Sequence, residues 1–430
     1  MFYFRHLLPM ISFILLFVGS GIYFTFLGEN NAFYQLQPVV AILPAIGAAW
    51  LLCTRDKSPL NAFLSGVGHH DILSMCVIFL LAGAFSQVTN DVGSVNATVN
   101  LALSLISDKW LLVGVFLVTA FISTAVGTSM GAIATIAPIV ASMGAHITCP
   151  MPLMAATVVG GAMFGDNLSL VSDTTIASVS SQGADSRSKF LLNAKIALVS
   201  GVVTLGLLIM LGGIKGQITV SEYQPMLVLP YFLLIFLALS GINVYISLVI
   251  STLSAMVLGL ALSDINIINL CKSVHTGFMS MQDIMLLSLM VGGLSGLVGD
   301  QFMHQAAKDL SGYARRYGMG KKVVALLIAK MGALFDLLLA NNTIAIIVSG
   351  QIAKEMANEH NIPAHESAAW LDIGSCIMQG LIPYGAQVLL VSSITGISPL
   401  SVAIQVYYCM ILGVISVGYI LIFTTIDKNI

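Results

Sequence analysis

The stretch Gly165-Asp166-Asn167-Leu168-Ser169-Leu170-Val171-Ser172-Asp173-Thr174-Thr175 sets two carboxylates, an amide, two serines and two threonines directly after the apolar run Met151 to Phe164. Hard oxygen ligands of this kind suit a small hard cation, and a carboxylate can instead take up a proton. Competition between the two for one site would give exchange without further machinery. Asp166 and Asp173 are separated by close to two helical turns, so in a continuous helix they would share a face about 10 Å apart. In a helix broken between Asn167 and Ser172 they could share one cavity with freed backbone carbonyls. Only 8% of the chain is charged, and an acidic side chain at bilayer depth costs roughly 3 kcal/mol or more unless it faces water or protein. The stretch therefore reads as the lining of an ion or substrate path, and the plainer alternative is a polar loop in the headgroup region.

The elements that must position these groups are membrane helices. With 57% apolar residues, and 17 Lys and Arg against 19 Asp and Glu in 430 residues, the chain lacks the polar surface of a soluble protein. The long, unalternated apolar runs indicate helices rather than a barrel. The expected fold class is an all-α polytopic membrane protein built from two inverted repeats with re-entrant hairpins and discontinuous helices. A net charge of −2 gives no reason to expect nucleic acid. The six cysteines are scattered singly, without the spacing of a zinc site. No nucleotide-binding motif occurs, which argues against an ATP-driven pump.

Apolar spans are expected at Leu7 to Leu27, Pro38 to Cys53, Ile72 to Val88, Trp110 to Val126, Gly131 to Met143, Met151 to Phe164 and Leu191 to Ile214. A second series follows at Met226 to Leu239, Val244 to Leu262, Ile284 to Val298, Val323 to Ala340, Thr343 to Lys354, Ala368 to Leu390 and Ser401 to Thr424. Placing Asp71 over Asp283, Gly161 over Gly374 and Leu191 over Val402 gives a nearly constant offset of about 212, the mark of an internal duplication. The chain divides into an N-terminal helix and external loop (1–36), a first repeat (37–215), a linking helix (216–242) and a second repeat (243–430). Cations cluster in three connections, at Arg55 and Lys57, at Arg187, Lys189 and Lys195, and from Lys308 to Lys322. Placed in the cytoplasm, these invert the two halves and leave both termini cytoplasmic, in a cell (inner) membrane protein. Inverted halves with broken helices put a site near the midplane, as expected of a secondary transporter working by alternating access.

The duplication adds further candidates. Gln379 falls at the position of Asp166, and Pro383, which removes a backbone donor, breaks the corresponding helix of the second half. Thr128 and Ser129 in the first half match Asn341, Asn342 and Thr343 in the second, as small polar groups where re-entrant hairpins would turn. Asp336, deep in the run Val323 to Ala340, is a proton-relay candidate, and Asp372 is a weaker one. The histidines, His69 and His70 included, read as solvated or interfacial.

Gly165 to Thr175 resembles the G-D-K-x-S-P-x-S-D-T-T signature of the NhaC-type sodium/proton antiporters, within the ion transporter superfamily. Gly127-Thr128-Ser129 and the Pro383 segment are similar to that family's patterns too, and the likeness runs from Pro38 onward. Asn167 stands where the family has Lys, Leu170 where it has Pro, and Tyr384 where Trp is usual. The resemblance implies ion-site roles for Asp166, Ser169, Ser172, Asp173 and Thr174, with Na+ held at Asp166 and Asp173. It implies sodium/proton antiport, with an ion-coupled carrier or exchanger of a small organic carboxylate or amino acid as the alternative. The expected partners are membrane lipid, sodium ion and proton, with homodimerisation left open. No cofactor is expected beyond the transported Na+ and H+. An intramembrane aspartyl protease is a remote alternative, because Met163 and Leu297 replace the first glycine of a G-x-G-D pattern at Asp166 and Asp300. No enzymatic activity is expected.

Overall fold

The computed structural model describes residues 2–27, 35–52, 58–105, 110–143, 149–169, 172–211, 223–240, 242–263, 265–298, 309, 312, 316 and 320–423. Among these residues the chain is helical and has no strand. The first helices are α1 (Phe2–Phe26), α2 (Pro38–Ala41), α3 (Leu43–Leu52), α4 (Pro59–Val67), α5 (His70–Val92) and α6 (Ser94–Leu105). Next come α7 (Leu111–Val126), α8 (Ser129–Met143), α9 (Met151–Asn167), α10 (Asp173–Gln182) and α11 (Ser186–Leu211). A 3-10 turn at Pro225–Val228 leads into α12 (Leu229–Leu239), α13 (Val244–Leu262), α14 (Ile267–Ser280) and α15 (Gln282–Val298). The chain continues with α16 (Lys321–Leu339), α17 (Asn342–Glu359), α18 (Ala364–Leu381), α19 (Ala386–Thr395), α20 (Pro399–Ala403) and α21 (Tyr407–Phe423).

This is a multi-pass membrane protein. Ile72–Val92, Ser186–Leu211, Tyr245–Leu262, Ile267–Val298 and Ala364–Thr395 are long and apolar enough to cross a bilayer. Helix α11 shows the membrane pattern most clearly. Leu198, Val199, Val202 and Met210 are exposed on it, while Lys189, Asn193, Ser200 and Thr204 are buried. That is the reverse of a soluble helix, and it is what lipid outside and a polar protein interior require.

Helices α4 and α14 were not among the expected spans. Both are short and amphipathic, so a search for apolar stretches about 20 residues long passes over them.

Helices α4 and α5 recur as α14 and α15, and α7 to α10 recur as α16 to α19, at an offset of about 213 positions. Local backbone features recur with it. Gly127 and Ala340 end α7 and α16 in the left-handed conformation, and Gly183 and Gly396 end α10 and α19 in the same way. A side chain pays a steric penalty there that glycine avoids, so Ala340 holds the second hairpin turn under strain.

Packing between the halves is reciprocal. Helix α4 lies on α15 and α5 on α14, while α10 lies on α17 and α8 on α19. Gly66 faces Gly292 and Gly296, and Gly83 faces Gly277, each at backbone contact. Such small-residue faces let helices approach closely where no water drives them together.

Candidate functional site

Four interruptions in the helices converge on one cavity. Two are hairpin tips, at Gly127 and Thr128 between α7 and α8, and at Ala340 and Asn341 between α16 and α17. The other two are helix breaks, one separating α9 from α10 and the other lying at 382–385 between α18 and α19. Each break frees backbone groups that a continuous helix would use internally.

The tips are built alike from different residues. Thr128 Oγ1 accepts a hydrogen bond from the Gly131 amide at 2.9 Å. Asn341 Oδ1 accepts from the Ile344 amide, also at 2.9 Å. Each caps the second helix of its hairpin, satisfying one of the amides left free in a first turn. Beside them, Asn342 Nδ2 is buried and has no hydrogen-bond partner among the described residues.

Helix α9 is held tightly against α7, which fixes the position of its end. Gly161 lies on the Phe116 carbonyl and Gly165 on the Ala120 carbonyl. Ser123 Oγ donates to the Ala162 carbonyl at 2.6 Å, and Thr124 Oγ1 donates to the Gly165 carbonyl at 3.2 Å. Asp166 follows at the last turn of α9, 5% exposed. It accepts a hydrogen bond from Ser172 across the break. Among the described residues, no Lys, Arg or His forms an ion pair with it.

The cavity encloses about 530 Å³. Its wall includes Asp166, Ser172, Asp173 and Thr174 from the first break, and Thr128 and Ser129 from the first tip. Asn341, Asn342, Thr343 and Gln379 line it from the C-terminal half of the chain. Ten candidates separated along the sequence thus meet at one space. Asp173 opens α10 and is exposed, whereas Ser172 and Thr174 are buried and share a 2.8 Å hydrogen bond.

The remaining candidates lie behind this wall. Asn167 is buried against α18 and α21, its Nδ2 donating to Cys376 Sγ at 3.0 Å and to Tyr408 Oη at 3.2 Å. Ser169 is buried in the break, and its carbonyl accepts from Thr175 Oγ1 at 3.0 Å. Pro383 follows Ile382 within the second break, where its missing amide stops α18 from running on. Asp336 is completely buried in α16, beside Gln379.

One assignment needs correction. Lys189, grouped above with the cytoplasmic cations, is 1% exposed. Its Nζ donates to Asp372 Oδ2 at 2.6 Å and to Thr175 Oγ1 at 2.7 Å. Asn193 Nδ2 donates to the same carboxylate oxygen at 2.7 Å. The ammonium is withdrawn from water because a buried carboxylate and a hydroxyl replace its hydration. The signal was present in the polar residues Lys189, Asn193, Ser200 and Thr204, spaced to share one face of an apolar helix.

Sequence reasoning also missed Asn243, Tyr245, Ser74 and the placement of His70, all of which line the cavity. Asn243 carried a usable signal, since it caps α13 by accepting from the Tyr245 amide. Asp300, of the second Gly-Asp pair, lies outside the described residues.

Residues 60–213 match the model of the Na+/H+ antiporter family. The chain is similar to the malate-2H(+)/Na(+)-lactate antiporter of Bacillus subtilis, with 20% identity over 89% of this chain and 88% of that protein. It is similar to the Na(+)/H(+) antiporter NhaC of Alkalihalophilus pseudofirmus, with 22% identity over 74% of this chain and 76% of that protein. The crystal structure of the Alcanivorax borkumensis YdaH transporter aligns over 95% of this chain and 97% of that one, at 14% identity and a TM-score of 0.44. The Bacillus subtilis and Alkalihalophilus pseudofirmus relatives are both antiporters by name.

Proposed function

We propose that this chain, whose residues 60–213 match the model of the Na+/H+ antiporter family, is a secondary active antiporter that exchanges sodium for protons at Asp166. The observation that carries this reading is a buried carboxylate, without an ion-pair partner among the described residues, on the wall of a cavity rich in oxygen ligands. A sodium ion there would take carboxylate oxygen from Asp166 and hydroxyl oxygen from Ser172, Thr174, Thr128 and Ser129. A proton on Asp166 removes the charge that holds the ion, so the two occupants exclude each other. Asp173, at the exposed side of the same cavity, would bring the ion in.

Alternating access would follow from motion of the two repeats about this cavity, in a cell membrane with both termini cytoplasmic. Single-cysteine reporters at Arg187 and Arg315 are then expected to react with an impermeant thiol reagent from the cytoplasm, and one at Glu29 from outside. Opposite accessibility of Arg187 and Arg315 would refute the inverted arrangement.

The decisive substitution is Asp166→Asn, which keeps the size and one oxygen but cannot ionise. It is expected to abolish sodium-driven proton movement in proteoliposomes, and Asp173→Asn to weaken it. Exchange at the wild-type rate in both variants would place the site elsewhere. A second reading has one observation in its favour. Asn342 Nδ2, unpartnered among the described residues, and a volume of about 530 Å³ suit a small organic carboxylate carried with the ion. Inhibition of sodium flux by such an acid, relieved in Asn342→Ala, would select that cargo.

A further inference from the structure

Asp336 does not line the cavity, yet a line of short contacts connects it to the wall. The Gln379 amide approaches Asp336 at 2.6 Å to Oδ1 and 3.1 Å to Oδ2. Its other end meets the Gln387 amide at 2.6 Å. Gln387 in turn meets Ser129 Oγ at 3.0 Å. Asp336, Gln379, Gln387 and Ser129 are all buried, and each has its neighbour in this row as a hydrogen-bond partner. Ser129 Oγ belongs to a residue on the cavity wall.

The row can be satisfied in two directions only. With a proton on Asp336, its O–H donates to Gln379 Oε1, Gln379 Nε2 donates to Gln387 Oε1, and Gln387 Nε2 donates to Ser129 Oγ. The Ser129 hydroxyl then offers its hydrogen elsewhere. With Asp336 ionised, both amides turn over. Gln379 Nε2 now donates to the carboxylate, Gln387 Nε2 donates to Gln379 Oε1, and Ser129 Oγ–H donates to Gln387 Oε1. In that state only lone pairs of Ser129 remain for the cavity, and a lone pair is what a sodium ion takes.

We propose that Asp336 is a second proton-binding group of the exchange cycle, reporting its charge to the cavity through the Gln379–Gln387–Ser129 hydrogen-bond chain. Loss of the proton breaks the Asp336 O–H bond and leaves the electron pair on the carboxylate. The proton passes to solvent, and Ser129 becomes a sodium ligand. Sodium bound at the wall holds the chain in that direction, so filling the cavity expels the Asp336 proton by linkage. The other ionisable groups around Asp336 do not substitute for this chain. The Tyr384 hydroxyl donates to the Leu337 carbonyl, Asp372 is paired with Lys189, and Lys330 on the same helix is exposed.

This inference rests on the cavity being the ion site, and one experiment separates the two. Sodium is titrated into the purified full-length protein in weakly buffered detergent, and both sodium affinity and protons released per sodium bound are read. Asp336→Asn is expected to bind sodium while releasing fewer protons than the wild type. Gln387→Leu, which cuts the chain but keeps both carboxylates, is expected to release as few as Asp336→Asn, and combining the two should lower the ratio no further. Ser129→Ala, a small change at the wall, guards against misfolding of the buried variants and should show the same reduced release together with weaker sodium binding. An unchanged proton ratio in Asp336→Asn, or a normal ratio in Gln387→Leu, would overturn the proposal. Loss of sodium binding in Asp166→Asn alongside an unchanged ratio in Asp336→Asn would leave the exchange reading standing without it.

Discussion

The buried pair between Lys189 and Asp372 gives a stability prediction with a definite size. Lys189→Met leaves the Asp372 carboxylate with the Asn193 amide alone, and Asp372→Leu leaves the ammonium with the Thr175 hydroxyl. Stranding one charge of a buried pair costs about 3–5 kcal/mol, because its desolvation is no longer offset. The double variant Lys189→Met/Asp372→Leu strands neither charge, so it is expected to be more stable than either single variant. The singles and the double are therefore strongly non-additive. The assay is thermal unfolding in detergent followed by tryptophan emission. Trp370 is fully buried on the same helix as Asp372, whereas Trp50 and Trp110 are 39% and 49% exposed, so the emission shift reports chiefly on this region. A double variant that melts as low as the sum of the two losses would refute the argument that the charges act as a pair.

Two further outcomes follow from local geometry. Asp185 holds the start of α11, its carboxylate accepting from the Ser188 amide and hydroxyl at 2.8 Å each, and these hydrogen bonds hold its pKa below the usual carboxylate value. A depressed folded-state value stabilises the helix start above the ordinary pKa and loses that effect as pH falls through the lowered one, so Asp185→Asn should speed amide exchange at 186–189 near neutral pH and lose its difference from wild type in acid. Gly165→Ala would press a methyl onto the Ala120 carbonyl and Ser123, at a cost of about 1–3 kcal/mol. It should lower the melting temperature and sodium affinity together, and wild-type values for both would mean that α7 does not position Asp166.

The parts of the site carried by local chemistry were legible in the sequence. The run Gly165 to Thr175 announces a break because polar residues interrupt an apolar stretch, and Pro383 marks the second break by removing a donor. The duplication then paired Thr128 with Asn341 before any contact was known. What stayed hidden depends on which helix faces which. Asn243 and Tyr245 reach the cavity from α13 only because of tertiary packing. Lys189 illustrates the limit most directly, since a lysine three residues inside a helix looks like a cytoplasmic end until a buried Asp372 from the other repeat meets it.

The same lysine bears on the departure at Asn167. A cation at that position, as the resemblance would have it, would sit next to Asp166 in the sequence, and Asn167 instead turns its amide to Cys376 and Tyr408. The buried cation of this region comes from α11 and touches the motif at Thr175, whose hydroxyl in turn donates to the Ser169 carbonyl in the break. Its charge is met by Asp372, which leaves Asp166 without an ion-pair partner among the described residues. Burying a carboxylate without an ion-pair partner is costly unless it takes up a proton or meets a cation, and the proposed exchange at Asp166 uses those two occupants in turn.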